Sequence, residues 1–129
     1  MGVDVTRQKR HGTAFETAWV RKLRSFGAAA RRLAEEGIYD RGDVESRLPD
    51  GMRIVWECKH AERLPVAPHE LLRRAQDKAQ EPAGIVWKRS TVKPGNARRS
   101  SDGTVVILDA QTFLTLVAHL SPGESGEAL

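Results

Sequence analysis

The stretch Gly42-Asp43-Val44-Glu45-Ser46-Arg47-Leu48-Pro49-Asp50-Gly51-Met52-Arg53-Ile54-Val55-Trp56-Glu57-Cys58-Lys59 decides how this chain folds. Pro49-Asp50-Gly51 is a turn signal with a physical basis. Proline presets φ, aspartate bonds its own backbone, and glycine supplies a positive φ. On either side the chain reads as strand, Asp43 to Leu48 and Met52 to Lys59, so the whole is a β-hairpin. With Asp50 at the centre of the turn, cross-strand partners have residue numbers summing to about 100, which sets Asp43 opposite Glu57. Opposed side chains on paired strands have Cβ atoms roughly 4.5–5.5 Å apart. Two carboxylates therefore converge.

The second strand adds a third group. Side chains alternate faces, so Ile54, Trp56 and Cys58 share an apolar face that suits the core. Val55, Glu57 and Lys59 share the other. Asp43, Glu57 and Lys59 thus meet at the open end of the hairpin. Like charges placed directly opposite are destabilising, and folding alone accounts poorly for them. A divalent cation removes the penalty, and Mg²⁺ is typically held by one or two carboxylates together with waters and substrate phosphates. The bland alternative is a solvated hairpin carrying a weak surface ion pair.

At 129 residues the chain has the length of one domain with its own core. Apolar residues make up 40% and charged residues 29%, the balance of a soluble globular protein. No apolar run approaches the ~20 residues that span a membrane. The polar, basic start lacks the apolar segment of a secretory signal, and the single cysteine, Cys58, excludes an internal disulfide. A cytoplasmic setting is expected, the host cytoplasm if the chain is phage-encoded. The formal charge of +4 favours a polyanionic partner.

Residues 1–12 read as a flexible basic arm, 13–120 as one domain, and 121–129 as a disordered tail. Thr13 and Glu16 fit a capping box opening a first helix, with Phe15, Trp19, Leu23 and Phe26 as its apolar stripe. Gly27 is its stop. Ala28 to Leu33 has helix-forming composition, yet Gly27 separates it from the first helix. After the hairpin comes a helix from Pro68 to Gln80, with Leu71, Leu72, Ala75 and Ala79 inward. Ala83 to Ser90 and Thr104 to Leu108 read as buried strands. Asp109 caps a final helix, Ala110 to Leu120, which carries Phe113, Leu114, Leu116, Val117 and Leu120. A crossover helix between the Glu57 and Ile85 strands implies that those two run parallel. The result is an α/β fold, a mixed central sheet flanked by helices.

Gly42-Asp43 followed by Glu57-Cys58-Lys59 resembles the signature of the PD-(D/E)XK nuclease superfamily. Asp40-Arg41-Gly42-Asp43-Val44 is close to a variant in which glycine replaces the motif's proline. The order of elements is similar to that superfamily's restriction-endonuclease-like αβββαβ core, over about residues 12–108. The resemblance makes Ala28 to Leu33 the first strand. Within the superfamily, the small size and the early Glu16 resemble archaeal-type Holliday junction resolvases and their phage relatives.

The resemblance implies a metal-dependent, structure-selective DNA endonuclease acting as a homodimer on four-way junctions. Asp43, Glu57 and the Cys58 backbone carbonyl are then ligands of Mg²⁺ or Mn²⁺, Glu16 completes the site, and Lys59 acts on the attacking water or the scissile phosphate. A capping box accounts for Glu16 equally well. Arg7, Lys9, Arg10, Lys88, Arg89, Lys93, Arg98 and Arg99 are the expected DNA contacts, with a solvated terminus and loop as the alternative. Other readings are a repair or restriction-like nuclease of the same superfamily, and a binding module that has lost activity. Cys58 is expected to face the core rather than act as a nucleophile. His60 and His69 lack zinc-ligand spacing. Trp19, Trp56 and Trp87 are expected in the core.

Overall fold

The computed structural model describes residues 5–38, 41–89 and 103–120, with the side chains of 5–11 and of Leu120 excepted. Three helices, α1 (Val5–Ser25), α2 (Pro68–Ala79) and α3 (Ala110–Leu120), accompany five strands: β1 (Ala29–Arg32), β2 (Val44–Arg47), β3 (Arg53–His60), β4 (Ala83–Lys88) and β5 (Thr104–Ile107). The strands form one mixed sheet in sequential order. β1, β2 and β3 are antiparallel, β4 lies parallel to β3, and β5 returns antiparallel to β4. Among the described residues no helix is long and apolar enough to cross a membrane.

Helix α1 starts at Val5, not at Thr13. Thr13 lies in its interior, so the expected capping box does not form, and helix formers such as Arg7, Gln8, Lys9 and Arg10 continue the helix upstream despite Gly12. Its end is as the sequence implies. Gly27 adopts φ 98°, its amide donates to Arg24 O (3.1 Å), and the Ala28 amide donates to Leu23 O (3.1 Å). These are the paired hydrogen bonds of a Schellman cap. Phe26 departs from the expected apolar stripe. It occupies the cap position and is 87% exposed.

The hairpin register is the one the turn dictates: Val44↔Trp56, Glu45↔Val55, Ser46↔Ile54 and Arg47↔Arg53. Leu48 N donates to Met52 O (2.9 Å), Gly51 N to Leu48 O (2.8 Å), and Met52 N to Asp50 Oδ1 (3.1 Å). Both faces of β3 are covered. Ile54, Trp56 and Cys58 pack with Phe15 and Val20 of α1. Val55, on the other face and 1% exposed, packs with Leu71, Leu72, Ala75 and Ala79 of α2. Pro68 opens α2 as expected. Trp56 is buried and its Nε1 donates to Ser46 Oγ (2.9 Å), while Trp19 and Trp87 are half-buried.

The far edge differs from expectation. Among the described residues β5 has a neighbour on one side only, and Val105 and Val106 are exposed. Asp109 does cap α3, accepting from Thr112 N (3.3 Å). Yet Phe113, Leu114 and Val117 face outward, and Leu116 supplies the helix's packing against the α1-side core. Periodicity identified α3 as amphipathic but not which surface it would cover.

Gly84 shows how tightly the α1-side layer is packed. A Cβ there would lie 2.6 Å from Trp56 Cζ3 and 2.7 Å from Leu108 Cδ2. Gly84→Ala is expected to cost about 1–3 kcal/mol through overpacking, seen as a lower urea midpoint with an unchanged m-value. An unaltered midpoint would show that this layer has room.

Candidate active site

Asp43 sits one residue before β2, where its backbone bonds both neighbours. Its amide donates to Trp56 O (3.0 Å), and its carbonyl accepts from Leu33 N (2.9 Å). The approach is close because Gly42 has φ 148°, and a Cβ there would clash with Val55 Cγ1. Just beyond the last registered pair, Val44↔Trp56, the Asp43 carboxyl lies beside that of Glu57. Asp43 Oδ2 accepts from the Cys58 amide (2.8 Å). In a strand, a residue's N–H and C=O point to the same side, so the Cys58 carbonyl also points to the side where β2 has ended.

Asp43 is pushed up to about 7, first by burial and then by the negative charge of Glu57. The Cys58 amide pulls it down, while a hydrogen bond with Glu57 and the charge of Glu16 raise it further. Near neutrality the Asp43 carboxyl therefore still holds a proton in a large part of the molecules, beside Glu57. Glu57 Oε1 also receives Lys78 Nζ of α2 at 2.8 Å, and the Glu57 side chain is 13% exposed. Lys59 lies two positions on, on the same strand face, where its positive charge reaches the Cys58 thiol.

Glu16 approaches from α1. Its Oε2 accepts from Arg32 Nε (3.2 Å) and Nη2 (3.1 Å) of β1, and Arg32 Nη1 also donates to Glu35 (3.1 Å). Glu16 is thus within electrostatic reach of Asp43 but turned onto an arginine. Among the described residues no three His, Cys, Asp or Glu side chains converge closely enough to hold an ion between them. The convergent set is the Asp43–Glu57 pair, two hard oxygen donors, beside the Cys58 carbonyl. The Cys58 thiol is raised well above its usual range by burial and then by the charges of Asp43, Glu16 and Glu57. It stays protonated, which removes it as a nucleophile.

Of the expected DNA contacts, Lys88 ends β4 beside His60, and Arg89 is ion-paired with Glu62 (2.7 Å). Lys93, Arg98 and Arg99, and the side chains of Arg7, Lys9 and Arg10, lie outside the described residues. Three arginines were not anticipated. Arg31, Arg47 and Arg53 share the sheet face of Asp43 and Glu57. The register arithmetic that paired Asp43 with Glu57 also pairs Arg47 with Arg53.

An acid pair at the end of an antiparallel hairpin, with a lysine two residues on, is the site this fold presents. No protein-family model and no curated protein matches the chain. Among solved structures it is similar to a Holliday junction resolvase from the archaeal hyperthermophile Archaeoglobus fulgidus, with 16% identity and a TM-score of 0.47 over 91% of this chain and 99% of that one. A likeness at that level assigns neither family nor activity.

The raised Asp43 fixes a pH dependence. Between its ordinary value near 3.8 and about 7, the folded protein keeps a proton that the unfolded chain releases. That stabilisation is complete at low pH and is lost as pH rises through about 7. Asp43→Asn cannot ionise and retains an oxygen for the Cys58 amide. In EDTA, its melting temperature relative to wild type should rise by roughly 5 °C or more between pH 4.5 and pH 8. An offset that is the same at both pH values would contradict a buried, charge-opposed Asp43.

Proposed function

We propose that this protein is a divalent-metal-dependent endonuclease that hydrolyses DNA phosphodiesters, with the four-way junction as its substrate. The observation that carries the reading is the close approach of the Asp43 and Glu57 carboxyls, with Lys59 on the same strand face as Glu57. Two carboxylates forced together gain most from a shared Mg²⁺ or Mn²⁺, and the Cys58 carbonyl adds a third hard donor. When bound, such a metal supplies a water of lowered pKa and neutralises charge developing on phosphate oxygens.

The chain's own groups then have distinct tasks. Asp43, once deprotonated, and Glu57 would hold the cation. The Lys59 ammonium orients the attacking water or the scissile phosphate. Glu16, clamped by Arg32, adds negative charge behind the pair. Lys78 holds Glu57 in place from α2. The junction as substrate rests on the sequence resemblance around Asp40 to Lys59 and on the helical Glu16. Symmetric incision needs two sites and hence a two-fold dimer. The outward Phe113, Leu114 and Val117 of α3 offer an apolar surface for it.

Wild type is expected to cut a four-way junction in Mg²⁺ and not in EDTA. Asp43→Ala, Glu57→Ala and Lys59→Ala should each lose 100-fold or more in single-turnover rate, about 3 kcal/mol of transition-state stabilisation, while still binding the junction. Equal cutting of linear duplex would remove the junction assignment and leave the nuclease. Binding without any metal-dependent cutting by wild type would leave only a DNA-binding module.

A further inference from the structure

We infer that Arg31, Arg47 and Arg53 form a platform for the phosphodiester backbone of the nucleic acid strand that leads to the acid pair. The inference rests on the nuclease reading above and adds where the substrate lies. β2 carries Glu45 and Arg47 on one face, with Asp43 just before it, and the strands beside it place Arg31 opposite Glu45 and Arg53 opposite Arg47. At the rise of a β-strand, Arg47 is about 13 Å from Asp43 along the sheet, the reach of a few nucleotides.

Three features distinguish this cluster from an ordinary ion-pair network. Arg47 and Arg53 are directly opposed like charges, an arrangement that costs stability. Arg53 has Glu45 (3.7 Å) and Glu81 (3.8 Å) near it, but among the described residues Arg47 has no ion pair. Glu45 is buried and fixes its neighbour from below: Arg31 Nε and Nη2 donate to Glu45 Oε2 at 3.2 and 2.9 Å. With one edge of the guanidinium held, the rest of Arg31 remains nearly half exposed. Small Ala29 opposite Arg47 leaves a groove of about 340 Å³, lined also by Arg31 and Glu45. Planar guanidinium forks match phosphate oxygens, and held ones lose less freedom on binding. The cluster lies at the turn end of the hairpin, whereas Lys88 and Arg89 lie at the opposite end of the neighbouring strand.

The test uses the full chain and a labelled four-way junction in EDTA, with affinity followed across salt concentration. Arg47→Gln should reduce the slope of log K against log[salt] by about 1, and Arg47→Gln/Arg53→Gln by about 2. The double variant should bind at least tenfold more weakly at 100 mM salt. Arg47→Lys should keep the wild-type slope. Both arginines are exposed, so melting temperatures should stay within a few degrees and show that the fold is intact. Wild-type slope and affinity in the double variant, with wild type still binding and cutting, would overturn the platform alone. Failure of wild type to bind or cut any DNA would overturn the nuclease reading and the platform with it.

Discussion

The pairing register between β2 and β3 is the constraint on which the rest depends. Sheet side chains alternate, so a slip of one residue would carry every side chain of β2 to the opposite face. The turn holds the register through Leu48, Asp50, Gly51 and Met52. The Trp56 indole holds it from within, through Ser46 Oγ. α3 reaches back to the same turn, where His119 contacts Asp50. Because Ile54 and Trp56 face one packed layer and Val55 the other, a slipped hairpin would disrupt both cores. A register this firmly set can hold two acids against each other.

Electrostatics along that sheet face follow a simple order. At one end Asp43 and Glu57 are opposed, and at the other Arg47 and Arg53. Between them Glu45 is buried under arginines. α2 and its exit supply partial relief at each end, with Lys78 on Glu57 and Glu81 on Arg41 (2.8 Å) and Arg53. Neither end is neutralised by the fold alone. In the proposed function a cation at the acids and phosphates at the arginines would complete both.

Much of this was legible in the chain because the signals are local. Pro49-Asp50-Gly51 fixed a turn and with it the Asp43–Glu57 pair. Gly27 announced its cap, Pro68 the start of α2, and the crossover the parallel β3–β4 pairing. What escaped depends on distant partners. Thr13 and Glu16 look like a capping box, but helix propensity upstream outweighs a local cap, and Glu16 is free to meet Arg32. Nothing near Lys78 in sequence says that it reaches Glu57. The exposure of Phe113 and Val106 depends on which surfaces the sheet edge leaves uncovered, and periodicity does not encode that. Arg47 and Arg53 were within reach of the same arithmetic that found the acids.

The hairpin brings the Asp43 and Glu57 carboxyls together and keeps Asp43 protonated to an unusually high pH, and the proposed cation would displace that proton. A direct measurement is the ¹³C NMR titration of the Asp43 carboxyl in metal-free protein, repeated with Mg²⁺ present. The expected midpoint is near 7 without metal, with a clear downward displacement when Mg²⁺ is added. A midpoint near the ordinary aspartate value of about 3.9, indifferent to Mg²⁺, would contradict it.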